Sequence, residues 1–260
     1  MRNADWSTCW GAASDTGLHR AHNEDSYLAG PTLCAVADGM GGHQAGEVAS
    51  DIAIGVLREL SDSASLRAED IRGAIGRAHD EIVMRGHQHR SLAGMGTTLA
   101  GVAVVEMGGA GHWAVFNVGD SRVYRRAGDT LAQVSVDHSE VEELVAAGLL
   151  DREQARNDFR RNIITRYLGS DVRPVPDLWV FPPTPGEQFL VCSDGLTGEL
   201  SDRQILGLMQ AAPTPRDAAH LLVTAALLAG GHDNVTVVVV GTSGDSDGDG
   251  DTTPSVDLPR

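Results

Sequence analysis

The chain contains no lysine: all 20 of its basic residues are arginine. Lysine Schiff-base chemistry and a P-loop lysine are thereby excluded together. Cysteine is scarce as well. Cys9, Cys34 and Cys192 sit in apolar stretches with no paired spacing, which excludes a disulfide framework and a zinc knuckle and fits a reducing cytosol. Basic charge is in deficit: 36 acidic against 20 basic side chains leave a net charge of -16, so no electropositive face for nucleic acid is expected. No apolar run approaches the roughly 20 residues of a membrane span. The first 15 residues lack the basic-then-apolar layout of a signal peptide. These absences lead to the expectation of a cytoplasmic protein.

What is present is an ordinary globular composition: 260 residues, 42% hydrophobic, with 31 glycines to make turns. Runs rich in Val, Thr and Ala at 33–37, 97–105, 112–118, 189–192 and 234–240 predict buried strands. Val48, Ile52, Val56 and Leu60, four apart, predict an amphipathic helix over 47–60, and Ile71, Ile75, Ala78 and Ile82 predict a second. Further helices are expected at 203–209 and 218–228. Strict βαβ alternation is missing and a hairpin is expected at 122–134, so the fold class is α+β, mostly antiparallel and layered. Residues 140–162 join a short helical pattern to a very polar segment, as in a mobile flap. Beyond Gly241 the chain is Ser, Gly, Asp, Thr and Pro with five Asp against one Arg, the composition of a disordered acidic tail. Asp245, Asp247, Asp249 and Gly250 imitate the opening of a calcium loop, but its twelfth position is Val256, not Glu.

Four aspartates stand near glycines at the edges of apolar runs: Asp38, Asp120, Asp194 and Asp233. Taken singly, each suits a turn or a helix cap. Converging at strand ends, they would repel one another unless a cation sat among them, and oxygen-only ligands select a hard ion, Mg2+ or Mn2+. Arg20 precedes Glu24 and Asp25, which reads either as an i,i+4 surface ion pair or as a phosphate-binding guanidinium beside carboxylates that hold metal-bound water. Other phosphate chemistries fail on the letters. The sixth residues after Cys9, Cys34 and Cys192 are Asp15, Met40 and Gly198, not the Arg of a cysteine phosphatase. No DxD follows a strand, and Gly119-Asp120-Ser121-Arg122 has Arg where a calcineurin-like GDxH needs His.

Six ordered motifs carry a family resemblance: RAHNEDS at 20–26, VADGMGGHQAGEVAS at 36–50, GMGTTLAG at 94–101, NVGDSRVY at 117–124, VCSDGL at 191–196 and HDNVTVVVV at 232–240. Together they resemble the metal-dependent serine/threonine protein phosphatases of type 2C, in their compact bacterial form, over residues 7–241. The resemblance implies a central antiparallel β-sandwich flanked by helix pairs, with residues 1–241 as the catalytic domain and 242–260 as the tail. It implies a binuclear Mn2+ or Mg2+ centre at one end of the sandwich. Asp38 would bridge the ions, the Gly39 carbonyl would bind one, and Asp194 and Asp233 would complete the other, with Glu24 and Asp25 acting mainly through metal-bound waters. Asp120 and Asp194 would hold a third ion near Asn162 of the flap, and Arg20 would clamp the phosphate. A water between two cations has its pKa lowered and needs no protein nucleophile to attack phosphorus.

One departure concerns the leaving group. Eukaryotic relatives place His directly after the DG of the first metal motif, where this chain has Met40. His43 stands in as the proton donor or caps the helix beginning near Glu47, and His79, His87, His89 and His220 are expected to face solvent or pack. The expected activity is hydrolysis of phosphoserine and phosphothreonine on proteins by a monomer, opposing a bacterial Ser/Thr kinase. The alternatives are a catalytically silent phosphate- or partner-binding homologue, and a regulator that dephosphorylates an anti-sigma-factor antagonist. With the domain beginning almost at Met1, a fused sensor of the kind usual in such regulators is not expected.

Overall fold

Alternation within single strands sorts the apolar residues of this chain into three separate cores. The computed structural model describes residues 7–41, 45–61, 63 and 65–243. In chain order its elements are β1 (Ser7–Asp15), β2 (Asp25–Leu28), β3 (Leu33–Met40), α1 (Ala45–Arg58), α2 (Ala68–Gln88), β4 (Gly96–Thr97), β5 (Leu99–Met107) and β6 (Ala110–Val118). There follow β7 (Arg122–Ala127), β8 (Thr130–Gln133), α3 (Glu140–Ala146), α4 (Arg152–Asn157), β9 (Asp177–Phe181), β10 (Gln188–Cys192), α5 (Asp194–Thr197), α6 (Asp202–Ala211), α7 (Pro215–Ala229) and β11 (Val235–Ser243).

The strands form two sheets, ordered β1-β11-β10-β7-β8 and β2-β3-β5-β6-β9, with the short β4 paired to β3. Every strand pairing is antiparallel. On β3, Leu33, Ala35 and Ala37 pack against α1 and α2, whereas Cys34 and Val36 face the other sheet. On β11, Val235, Val237 and Val239 join the core under α6 and α7, whereas Val238 and Val240 face inward. A strand buried on both faces shows an unbroken apolar run rather than polar alternation. The result is four layers, helices on both sides of a sandwich, which is the α+β architecture expected.

Several boundaries differ from expectation. The polar stretch after Asp151 is not irregular throughout: Asp151 and Gln154 form a capping box that starts α4. Helix α7 begins at Pro215 because Thr214 accepts a hydrogen bond from the Asp217 amide and proline suits the first turn. β11 continues through Thr242 and Ser243, past the expected domain end at Gly241, and the tail beyond it lies outside the described residues. Among the described residues no helix is long and apolar enough to cross a membrane.

Two glycines allow the segments around the sandwich end to meet. A Cβ on Gly39 would lie 2.2 Å from the Gly46 carbonyl oxygen and 2.6 Å from that of Glu24. A Cβ on Gly195 would lie 2.0 Å from the Asn234 carbonyl oxygen. Gly39→Ala must push the start of α1 off β3, so it is expected to cost about 3 kcal/mol. The urea midpoint measures this, and an unchanged midpoint would show that α1 gives way freely.

Candidate metal centre

The strand register sets two carboxylates side by side: Asp25 on β2 lies directly opposite Asp38 on β3. The main chain of Asp38 is fixed on both sides. Its amide donates to Thr98 Oγ1 at 3.0 Å, and its carbonyl accepts from the Thr98 amide at 2.9 Å and Thr97 Oγ1 at 2.9 Å. Thr98 Oγ1 is in turn 2.7 Å from Ser121 Oγ, next to Asp120 in the turn between β6 and β7. Asp25 Oδ2 accepts from Ser193 Oγ at 2.8 Å, which ties it to the residue before Asp194. Its other oxygen, Oδ1, is sealed from solvent without a hydrogen-bond partner.

Asp233 enters from the loop before β11, where Asn234 joins two distant segments. Asn234 Oδ1 accepts from the Glu24 amide at 2.8 Å, and Nδ2 donates to the Thr16 and His22 carbonyls at 2.8 and 2.9 Å. Thr98, Ser193 and Asn234 all lie within the sequence motifs, which do not indicate what they do. Their role is to hold carboxylates that would otherwise separate.

The electrostatics are those of crowded acids. Burial, followed by the charges of Asp25 and Asp194, pushes the Asp38 carboxyl well above the usual range. Burial pushes Asp25 up to about 7, opposed by the Ser193 hydrogen bond and reinforced by Asp194 and Asp233. Asp120 is pushed up to about 8 by burial and then by Asp194 and Asp137. Asp194 rises through burial and the Asp233 charge, and Glu24 rises chiefly through burial. Carboxylates that resist ionisation because they are buried and, beyond that, crowd one another would be stabilised in their charged form by a cation. The all-oxygen donor set and the unpartnered Asp25 Oδ1 suit a hard divalent ion. The thiols do not compete as nucleophiles, since burial pushes Cys34 and Cys192 up to about 12.

One alternative, the Arg20–Glu24 surface ion pair, is corrected, and one residue lies out of reach. Arg20 neither pairs with Glu24 nor stands free for phosphate: its Nη2 is 2.6 Å from Asp233 Oδ2. Among the described residues no three acidic, His or Cys side chains already converge as a finished cage. Asp233 is turned to Arg20 instead, so an ion binding Asp233 competes with a guanidinium for one carboxylate. His43 lies outside the described residues, and half-buried Met40 ends β3. Asn162 does approach Asp120 and Asp194: all three line a cavity of about 360 Å³, with Arg161 on its wall. The bridge between Ser139 and Ile164 closes the base of this segment. Of the other histidines, His79 is buried and His87, His89 and His220 are exposed.

Comparison with known proteins finds relatives over most of the chain. A family model described as protein phosphatase 2C matches residues 19–224. The serine/threonine phosphatase stp of Listeria monocytogenes is 36% identical over 238 residues, covering 87% of this chain and 93% of the relative. The serine/threonine protein phosphatase PstP of Mycobacterium tuberculosis is 39% identical over 234 residues, which is 88% of this chain and only 44% of PstP. A crystal structure of the M. tuberculosis phosphatase superposes with a TM-score of 0.82 at 37% identity, covering 90% of this chain and 98% of that one. The catalytic domain of PstP in complex with two manganese ions superposes with a TM-score of 0.80 at 37% identity, covering 91% and 98%.

Proposed function

Because the chain belongs to the protein phosphatase 2C family, we propose that it hydrolyses phosphoserine and phosphothreonine in proteins, using Mn2+ or Mg2+, and opposes a bacterial Ser/Thr kinase in the cytoplasm. The observation that carries this reading is the Asp25–Asp38 cross-strand pair, with Asp120, Asp194 and Asp233 close enough to raise its carboxyls. The two manganese ions of the PstP catalytic domain support a binuclear centre.

Asp38, Asp194, Asp233 and the Gly39 carbonyl are the proposed direct ligands, Glu24 and Asp25 act through water, and Asp120 with Asp194 holds a third ion. Divalent ions there supply a water acidified toward neutrality and positive charge for the phosphoryl oxygens. The protein supplies the rest. Thr98 and Ser193 keep the Asp38 and Asp25 carboxylates in register. Arg20, released if an ion engaged Asp233, would be able to offer its planar fork to two phosphoryl oxygens, a bidentate geometry that lysine could not reproduce. Met40 leaves position 40 without a proton donor for the departing Ser or Thr oxygen. Arg161 and Asn162, on the cavity wall facing Asp120, are the groups proposed to meet the residues flanking the phosphate.

The test is phosphate release from a phosphothreonine peptide with Mn2+, with Mg2+ and with EDTA. Turnover is expected with either metal and none in EDTA. Turnover that persists in EDTA would end the binuclear reading, and folded, metal-bound protein that releases no phosphate would be a silent binding homologue.

A further inference from the structure

The loop that delivers Asp233 is held from outside by groups that the reaction itself does not require. Glu199 follows the short α5 that opens with Asp194, and its side chain is only 10% exposed. One oxygen, Oε1, accepts from both the His232 main-chain amide at 3.0 Å and His232 Nδ1 at 2.6 Å. A carboxylate can only accept, so Nδ1 carries the proton and the ring orientation is set. The ring is 71% exposed and so gains little from packing, yet it stacks on His19 with centroids 4.8 Å apart and planes 7° from parallel. His19 precedes Arg20, and His232 precedes Asp233. The stacked rings therefore flank the Arg20–Asp233 ion pair, residue for residue. The Leu18 amide donates to the Gly231 carbonyl at 2.7 Å, closing the same two loops one step further out. A Cβ at Gly230 would lie 2.4 Å from the His232 ring and 2.9 Å from Glu199 Oε2, so a larger residue there would have to displace the paired side chains.

We propose that Glu199, acting through His232 and the His19 stack, is a positioning residue that holds the loop carrying Asp233 in place, so that only the carboxylate itself has to leave Arg20 for metal binding. It couples two ligands, because the segment that begins at Asp194 ends on the group that restrains Asp233. The proposal rests on the reading of Asp233 as a ligand. Groups that orient a ligand from behind typically govern metal affinity by about 10–100-fold.

The test is calorimetric titration of the full chain with Mn2+ in the absence of substrate. Glu199→Ala is expected to raise the Mn2+ Kd about tenfold. Glu199→Gln keeps an acceptor oxygen and is expected to restore most of that loss. His232→Ala, on an exposed ring, is expected to weaken binding by about threefold while leaving the fold intact. It decides the matter should Glu199→Ala fail to fold. The melting temperature of each metal-free variant should stay within about 4 °C of the parent, which separates positioning from general stability. Asp233→Asn is the reference. If it weakens Mn2+ binding while Glu199→Ala and His232→Ala do not, the clamp is wrong. If Asp233→Asn also leaves binding unchanged, the metal-centre reading falls and takes the clamp with it.

Discussion

Asp38→Asn is expected to lower kcat by about 10³-fold or more, because it removes the carboxylate proposed to bridge the two ions and the charge they share. The same substitution should stabilise the metal-free protein. Asp38 is pushed up by burial and by its acidic neighbours, so folding near neutral pH must either bury a disfavoured charge or take up a proton, and an amide of the same shape removes that cost. A gain of about 1 kcal/mol would raise the melting temperature by about 2–4 °C in a domain of this size. Added Mn2+ should then stabilise the parent and leave the variant nearly unmoved. Calorimetry with and without Mn2+, beside single-turnover kinetics, measures both signs. A variant that keeps a tenth of the activity would remove Asp38 from the centre.

The second large effect is on the pH dependence of stability. Asp25 and Asp120 retain their protons in the folded chain to about 7 and about 8, whereas the ordinary value for each is 3.8. The folded state therefore holds more protons than the unfolded chain above about pH 4, and stability falls as pH rises through the folded values. Each such group contributes a slope of about 1.4 kcal/mol per pH unit while its folded form stays protonated. His79 and His138, whose burial lowers their pKa, oppose this trend only on the acid side of 6.5. The clean window is pH 6.5 to 8; above it both groups are ionised in the folded and unfolded chain alike, and their slope vanishes. In EDTA the melting temperature is expected to fall across it, and saturating Mn2+ to flatten the curve by displacing protons from the site. Proton release on Mn2+ binding at pH 6.5, read in two buffers of different ionisation enthalpy, counts the groups. A flat or rising curve in EDTA would contradict the crowded-acid account.

How much of this was legible in the chain follows from where each element sits. The runs that became β3, β5, β6, β10 and β11 are buried on both faces, so their apolar continuity is conspicuous. β1, β2 and β9 lie at sheet edges and are half-buried; β1 and β2 carry mostly small or polar residues, and β9, apolar from Leu178 to Phe181, is only five residues long, so none shows a sustained period. The sandwich needed the family resemblance because pairing order is a long-range property: β1 pairs with β11, and no local pattern records it. The candidate ligands were legible as aspartates at strand ends. Their supports were not. Arg20 with Asp233, and Glu199 with His232, are separated by 213 and 33 residues, and their encounter depends on loops that only the finished sandwich aligns.

The place of β11 carries one more consequence. It lies between β1 and β10, so the earliest described strand has no partner, and the core beneath α7 no floor, until the final described strand arrives. Asp233 and Asn234 travel immediately ahead of it. On the ribosome, the Asp25–Asp38 end of the sandwich stays without its last carboxylate and its Asn234 fastening until residue 243 has cleared the exit tunnel. Contacts between segments so far apart in sequence form slowly, and a chain that ends before Asp233 lacks both that carboxylate and the Asn234 fastening.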